Sequence, residues 1–303
     1  MTPPPERVEP KPVPGRAVSR RRAASIVPHA LQSAEWPIRF SFEAYGVGVD
    51  VRSNDPVTLD EARRCLPPGA RATAQPAAAA ATYVLLSEPA SDRSPDTALY
   101  TLFARGVELA RSSRLDALLD QLESDARLTV AEHAPDRVFV HAGVVGWRGR
   151  AIVVPGRSFS GKSTLVAELV RAGAEYYSDE YAVCSADGLV HPFAKPLELR
   201  NDGERTQRTL DLREIDGVVG TAPLRAGVVL VTRFKRDAVW KPRELTPGAG
   251  VLELLNNTVS ARRSPESAFV ALGQVVRFAT VLKGNRGDAR ETAQALLARL
   301  DAR

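Results

Sequence analysis

Short apolar runs and helically spaced apolar residues follow one another along the second half of the chain. Short β-branched runs predict buried strands, and apolar residues recurring every three or four positions predict helices. The predicted strands are residues 138–145, 151–154, 175–184, 189–193, 227–234 and 278–282. The predicted helices are residues 164–171, 251–259, 265–276 and 288–300. This alternation predicts an α/β domain over residues 136–303.

The first half of the chain has a different pattern. Residues 38–42 and 45–51 alternate like half-buried strands, as do two later segments, and residues 115–128 have one apolar helical face. The later strands are residues 83–86 and 99–103, and the alanine-rich residues 75–81 are interpreted as a loop. Residues 36–132 are therefore predicted to form a small α+β unit that serves as a lid, a recognition unit or a dimerisation unit.

Composition limits the class of protein. The 303 residues are 44% hydrophobic and 25% charged, as in a soluble globular protein. Residues 1–35 hold many prolines and an arginine triplet, which predicts a disordered tail without a secretory signal. With no apolar run of about 20 residues, we expect a cytoplasmic protein without a membrane span. The net charge of +5 is too diffuse to indicate a specific nucleic-acid partner.

The strongest motif is a glycine-rich loop. Residues 156–163 read Gly-Arg-Ser-Phe-Ser-Gly-Lys-Ser, which matches all fixed positions of the phosphate-binding template. A predicted strand precedes it and a predicted helix follows it. Lys162 is expected to neutralise the β- and γ-phosphates, and Ser163 is expected to bind Mg²⁺. The predicted nucleotide-binding residues are Gly156, Ser158, Phe159, Ser160, Gly161, Lys162, Ser163 and Thr164.

Two features separate this loop from GTPases and motor ATPases. The apolar strand around residues 228–231 ends in Thr232 and Arg233, where most phosphate-loop NTPases place an Asp that helps to hold Mg²⁺. The turn at residues 146–149 is so short that the two strands it joins must be antiparallel.

Asp179, sixteen residues after Ser163, is the candidate general base, although a surface pair at a strand edge is an equally good interpretation of the Asp-Glu dipeptide.

The order of three motifs resembles one family. His141 at the start of a strand, the glycine loop, and the pair Asp179-Glu180 resemble the catalytic domain of HPr kinase/phosphorylase, and Glu198-Leu199-Arg200 resembles its Glu-x-Arg element. The resemblance implies a mixed sheet of the phosphoenolpyruvate-carboxykinase-like type, with ATP and Mg²⁺ as cofactors. It implies catalytic roles for Asp179, His141 and Lys162. It also implies that the metal ligands are Ser163, Asp179, Glu180 and Glu198.

Three functions remain open at this stage. The first is an ATP-dependent kinase that phosphorylates a serine-type hydroxyl of a protein or peptide, or a hydroxyl of a small molecule. The second is an ATP hydrolase that couples turnover to a conformational change, and the third is a nucleotide-sensing module without turnover. Lys195 could contact the acceptor or the nucleotide. The resemblance implies a homo-oligomer, for which the residues themselves give no signal.

Overall fold

A computed structural model describes residues 36, 38–74, 78–89, 98–156, 160–200 and 207–302. The predicted tail of residues 1–35 and the predicted loop residues Ser158 and Phe159 lie outside the described residues.

The described part of the chain contains six α-helices and sixteen strands. The helices are α1 (Pro56–Ala62), α2 (Leu115–His133), α3 (Lys162–Arg171), α4 (Pro247–Leu255), α5 (Pro265–Arg277) and α6 (Ala289–Asp301), with a 3-10 helix at Leu212–Ile215. The first strands are β1 (Ile38–Ala44), β2 (Val47–Ser53), β3 (Arg71–Thr73), β4 (Ala79–Pro89), β5 (Ala98–Ala104), β6 (Val107–Ser112), β7 (Val138–Trp147) and β8 (Arg150–Pro155). The others are β9 (Glu175–Ser178), β10 (Tyr181–Cys184), β11 (Leu189–His191), β12 (Leu197–Arg200), β13 (Gln207–Leu210), β14 (Leu224–Phe234), β15 (Arg243–Glu244) and β16 (Thr280–Arg286).

The first six strands form one sheet in the order β3-β1-β2-β4-β5-β6. Its neighbours are antiparallel except for the parallel pair β2 and β4. Leu118 and Leu122 of α2 and Leu59 of α1 belong to the core that includes Tyr83 and Leu102 of this sheet. The buried face of α2 is the one that the spacing of residues 115–128 predicts.

An eight-stranded sheet organises the rest of the chain. Its order is β11-β10-β7-β8-β14-β16-β15, and β9 also pairs with β7. β14 runs parallel to both β8 and β16, whereas β7 is antiparallel to β8. The predicted antiparallel hairpin is therefore confirmed, and the sheet is mixed. β12 and β13 form a separate two-stranded sheet.

Helices cover both faces of the eight-stranded sheet. Residues of α4 and α5, including Leu254 and Leu272, form a core with Val153 and Val229. On the other face α3 and α6 form a core around Leu165 and other apolar residues of the sheet. The first sheet joins this body through aromatic contacts, since the Tyr45 and Phe139 rings meet edge to face at 5.3 Å between centroids. The predicted mixed α/β class is confirmed.

Some predicted boundaries are wrong. Ala79, Ala80 and Ala81 lie in β4 rather than in a loop, because pairing with β2 outweighs the low strand propensity of alanine. The helix predicted at residues 251–259 ends at Leu255, where the Asn257 amide donates to the Glu253 carbonyl (2.9 Å). The strand predicted at residues 278–282 is β16, which starts two residues later and ends four residues later.

No helix in the described ranges is long and apolar enough to cross a membrane.

Candidate functional site

β7 brings the three sequence motifs together. It pairs with β8, which leads into the glycine loop, and with β9 and β10, which flank Asp179 and Glu180. The Gly156 N–H donates to the His141 carbonyl (3.0 Å), and the Ala142 N–H donates to the Glu180 carbonyl (3.1 Å). His141, the loop and the acidic pair are thus neighbours at one edge of the sheet.

The glycine loop has the strand–loop–helix arrangement that the motif predicts. β8 ends at Pro155, and α3 begins at Lys162 after Gly161, whose φ is 80°. Among the described residues, no side chain caps this N-terminus, and none forms a hydrogen bond with the buried Ser160 hydroxyl. Uncapped N–H groups at the positive end of a helix favour an anion. The described loop residues therefore fit a phosphate group, while Thr164 in the first turn is exposed.

A glycine in β7 lets α3 approach closely. A Cβ on Gly143 would lie 2.5 Å from Cγ2 of Val166, a distance that side-chain atoms cannot tolerate. The same Cβ would lie 3.9 Å from Cβ of Lys162. Gly143 therefore sets the N-terminal turn of α3 directly against the strand that carries His141.

Asp179 faces the loop from the turn between β9 and β10. It is 8% exposed, and its Oδ2 accepts a hydrogen bond from the Ser163 hydroxyl at 3.2 Å. The Tyr176 hydroxyl lies 3.3 Å from Oδ1 but 2.8 Å from the Lys195 carbonyl, so its single proton favours the carbonyl. Burial raises the pKa of Asp179, and the Lys195 cation partly opposes this shift. A carboxyl group with a raised pKa is a stronger base than an ordinary one.

Glu180 belongs to a network of charges beside Asp179. Nε of Arg127 donates to its Oε1 at 3.3 Å and lies 3.1 Å from Oε2. Oε2 is buried, and no hydrogen bond in the described structure reaches it. Lys195 Nζ lies 3.7 Å from Glu180 Oε2 and 3.5 Å from Glu198 Oε2. Lys195 therefore links two of the predicted metal ligands.

His141 and Lys162 are basic residues that lie largely buried beside each other. Burial and the nearby Lys162 cation lower the pKa of His141, which leaves its imidazole neutral at pH 7. The His141 ring packs at 4.9 Å from the Tyr181 ring, centroid to centroid. Burial also lowers the pKa of Lys162, whereas Asp179 and Glu180 act against that shift. Lys162 is thus electrostatically coupled to both acids.

The oxygen-rich composition of the site fits Mg²⁺ bound together with a nucleotide. No cluster of three or more His, Cys, Asp or Glu side chains suited to a metal occurs in the described ranges. Such a cluster is not required, because Mg²⁺ in nucleotide sites takes one or two protein carboxylates and completes its shell with phosphates and water. The hydroxyl of Ser163 and the carboxylates of Asp179 and Glu180 are suitable oxygens, although Glu180 Oε2 also forms ion pairs with Arg127 and Lys195. Glu198 is linked to them through Lys195, whose Nζ lies 3.5 Å from its Oε2.

Three residues of the site have no sequence motif. Tyr176 stands three positions before Asp179 inside an apolar strand, and Arg127 lies on the buried side of α2. Arg286 ends β16, and its Nη2 donates to the Gly161 carbonyl at 2.7 Å. Sequence reasoning missed Arg127 and Arg286 because their partners are distant in the chain. It missed Tyr176 because a tyrosine within a strand pattern is typical of a core residue. Arg286 lies four residues beyond the strand predicted at residues 278–282, so that prediction did not single it out.

A cavity of about 600 Å³ is lined by Tyr176 and Lys195, two neighbours of the acidic pair. It shares Tyr176 and Lys195 with the network around Asp179. Its remaining lining is apolar with a few charges, comprising Ala194, Pro196, Leu197, Thr209, Leu210, Asp211, Leu212, Arg213, Glu214, Gly217 and Val219. The size and the mixture of apolar walls with a few polar groups are typical of ligand pockets.

No family model matches the chain, and no curated protein matches it. Among solved structures, the chain is similar to the HPr(Ser) kinase/phosphatase from Coxiella burnetii, with a TM-score of 0.29 and 11% sequence identity. The match covers 54% of this chain and 94% of that chain. A TM-score of this size is too low to establish a shared fold, so function has to be argued from the geometry of the site.

Proposed function

We propose that the protein is an ATP-dependent kinase that transfers the γ-phosphoryl group to a serine-type hydroxyl of a protein or peptide. The observation that carries the proposal is the contact between Ser163 and Asp179 at the uncapped N-terminus of α3. It joins a phosphate-binding element to a buried carboxyl group with a raised pKa. The resemblance of His141, the loop and Asp179-Glu180 to HPr kinase/phosphorylase supports the same conclusion.

Asp179 is the general base in this proposal. Its carboxylate accepts the proton of the acceptor hydroxyl while that oxygen attacks the γ-phosphorus. A new phosphorus–oxygen bond forms, the bond between the γ-phosphorus and the bridging oxygen breaks, and ADP leaves. Lys162 and the N–H groups of α3 stabilise the negative charge on the phosphate oxygens. The neutral His141 adds no second positive charge at this edge.

Ser163, Asp179 and Glu180 are the residues that would hold Mg²⁺ in this site. The ion, when bound, neutralises phosphate charge and orients the phosphate chain. The enclosed position of Asp179 keeps water from its carboxylate, which favours transfer to a bound hydroxyl over hydrolysis.

The acceptor is assigned to the cavity beside the acidic pair. Tyr176 and Lys195 border both the cavity and the Asp179 network, so a hydroxyl that enters past them approaches the general base. The apolar walls formed by Leu197, Leu210 and Val219 suit an apolar side chain next to the phosphorylated serine.

Transfer of labelled phosphate tests the proposal. The purified protein is incubated with Mg²⁺ and ATP labelled in the γ position, first alone and then with a library of serine-containing peptides. The kinase predicts acid-stable label on serine. Label released only as inorganic phosphate would favour the hydrolase, and bound ATP that is never consumed would favour the sensor.

A further inference from the structure

A buried cation that forms no ion pair with the described residues lies next to the glycine loop. Arg286 is 3% exposed at the end of β16. Its Nη2 donates to the Gly161 carbonyl (2.7 Å) and its Nη1 to the Gly287 carbonyl (3.2 Å), whereas the buried Nε forms no hydrogen bond with the described residues. In the described ranges it forms no ion pair, and residues 157–159 contain no acid.

This arrangement is costly for the protein without a ligand. Burial lowers the pKa of Arg286, with Asp288 acting weakly in the opposite direction. Two carbonyl oxygens compensate only part of the lost hydration of a guanidinium group, so the unpaired charge destabilises the fold. An aromatic ring covers one side, because the Phe234 ring centroid lies 5.7 Å from Cζ. Nothing in the described packing explains why a cation stands here.

The guanidinium group of Arg286 packs tightly against Gly161 of the glycine loop. A Cβ on Gly161 would lie 2.3 Å from Nη2 of Arg286, so the guanidinium group occupies the space that a side chain at the N-cap of α3 would need. The Gly161 carbonyl also accepts the first hydrogen bond of the helix, from the Leu165 N–H at 3.2 Å. Arg286 therefore lies at the same helix end as the uncapped N–H groups and Lys162.

Building on the proposed function, we infer that Arg286 is a second phosphate-binding cation of this site. Its charge is neutralised by the β- and γ-phosphates of a nucleoside triphosphate at the N-terminus of α3. Lys162 supplies the other positive charge that binds these phosphates. Arginine suits this role because its planar guanidinium group can bind a phosphate with two donors while a third holds the loop. The ligand class is a polyphosphate chain, and the nucleobase makes no contribution to this contact.

Thermal unfolding of the full chain with different ligands tests the inference. The variants are Arg286→Met and the control Arg290→Met, which removes an exposed arginine four positions later. Unfolding midpoints are measured without ligand and with Mg²⁺ plus ATP, AMP or tripolyphosphate. We expect Arg286→Met to unfold at the same or a higher temperature without ligand, because it removes an unpaired buried charge. ATP and tripolyphosphate should stabilise it much less than the wild type, with ATP binding weakened about tenfold or more.

The opposite results overturn the inference. If Arg286 only holds the Gly161 carbonyl, Arg286→Met unfolds at a lower temperature and keeps the full stabilisation by ATP over AMP. If Arg286→Met does not fold, the neutral but polar Arg286→Gln replaces it, and unchanged ATP affinity in that variant refutes the role. Failure of nucleotide binding is distinguishable, because the wild type itself would then show no greater stabilisation by ATP or tripolyphosphate than by AMP. Failure of phosphoryl transfer alone appears in the labelling assay and leaves the difference between the wild type and Arg286→Met in place.

Discussion

Replacement of Asp179 by asparagine separates nucleotide binding from phosphoryl transfer. Asparagine has the same shape, and its amide oxygen can still accept the hydrogen bond from Ser163 that Oδ2 accepts at 3.2 Å. ATP affinity should therefore stay close to that of the wild type. The amide cannot accept a proton, so transfer should fall by about 10²-fold or more, the scale of lost general-base catalysis. This loss corresponds to roughly 2.7 kcal/mol in activation free energy.

The pH dependence of the same pair of proteins gives a second measurement. Burial raises the pKa of Asp179 in the folded protein, so wild-type transfer should decline as the pH falls through that raised pKa. The raised pKa contributes stability that is fully present at a pH below the pKa of Asp179 in the unfolded chain. This stability is lost as the pH rises through the pKa of Asp179 in the folded protein. At pH 8 the ionised carboxylate is therefore unfavourable, and Asp179→Asn should unfold at a higher temperature than the wild type.

The assay is single-turnover transfer of label to a serine peptide, measured together with ATP affinity by calorimetry from pH 5 to about 8, the range that covers a raised carboxyl pKa. Transfer by Asp179→Asn within about threefold of the wild type would remove Asp179 from the mechanism, since general-base catalysis is worth far more. A large loss of ATP affinity with unchanged transfer at saturating ATP would instead assign Asp179 to nucleotide binding.

Three further substitutions test the loop and the cavity. Lys162→Ala should abolish nucleotide turnover in a coupled ADP assay, and turnover at the wild-type rate would refute the loop assignment. Gly161→Ala should lose roughly 1–2 kcal/mol of unfolding free energy in urea and should bind ATP more weakly. The reason is that φ at this position is 80° and the new Cβ would clash with Arg286. Wild-type stability of this variant would contradict that geometry. Val219→Asp, in the cavity wall, should reduce peptide labelling by about tenfold at an unchanged ATP affinity. The control Val218→Asp changes a neighbouring 63% exposed valine outside the lining, and equal losses in both variants would refute the cavity assignment.

Sequence predicts the local part of this site well. The apolar runs of β7 and β8 and the short turn between them specify an antiparallel hairpin, and the glycine loop specifies the strand–loop–helix unit. Both are encoded by residues close together in the chain. Helix α1 was missed although its signals are present, since Asp55 caps it by accepting from the Thr58 N–H and Pro56 opens its first turn.

The partners of the acidic pair could not be predicted in this way. Arg127 reaches Glu180 from 53 positions earlier in the chain, and Arg286 reaches Gly161 from 125 positions later. No local pattern specifies such contacts, because they depend on which strands become neighbours in the sheet. The sequence also left Asp179 balanced between a surface acid and a general base. Its burial and its contact with Ser163 depend on the pairing of β9 with β7.

The most direct test of the central claim is the stoichiometry of the reaction. ATP consumed, inorganic phosphate released and phosphoserine formed are quantified in one reaction that contains the wild-type protein, Mg²⁺ and a labelled serine peptide. We expect one phosphoserine for each ATP consumed and little free phosphate. Lys162→Ala should form neither phosphoserine nor free phosphate. ATP consumption matched by free phosphate, with no phosphoserine, would contradict it.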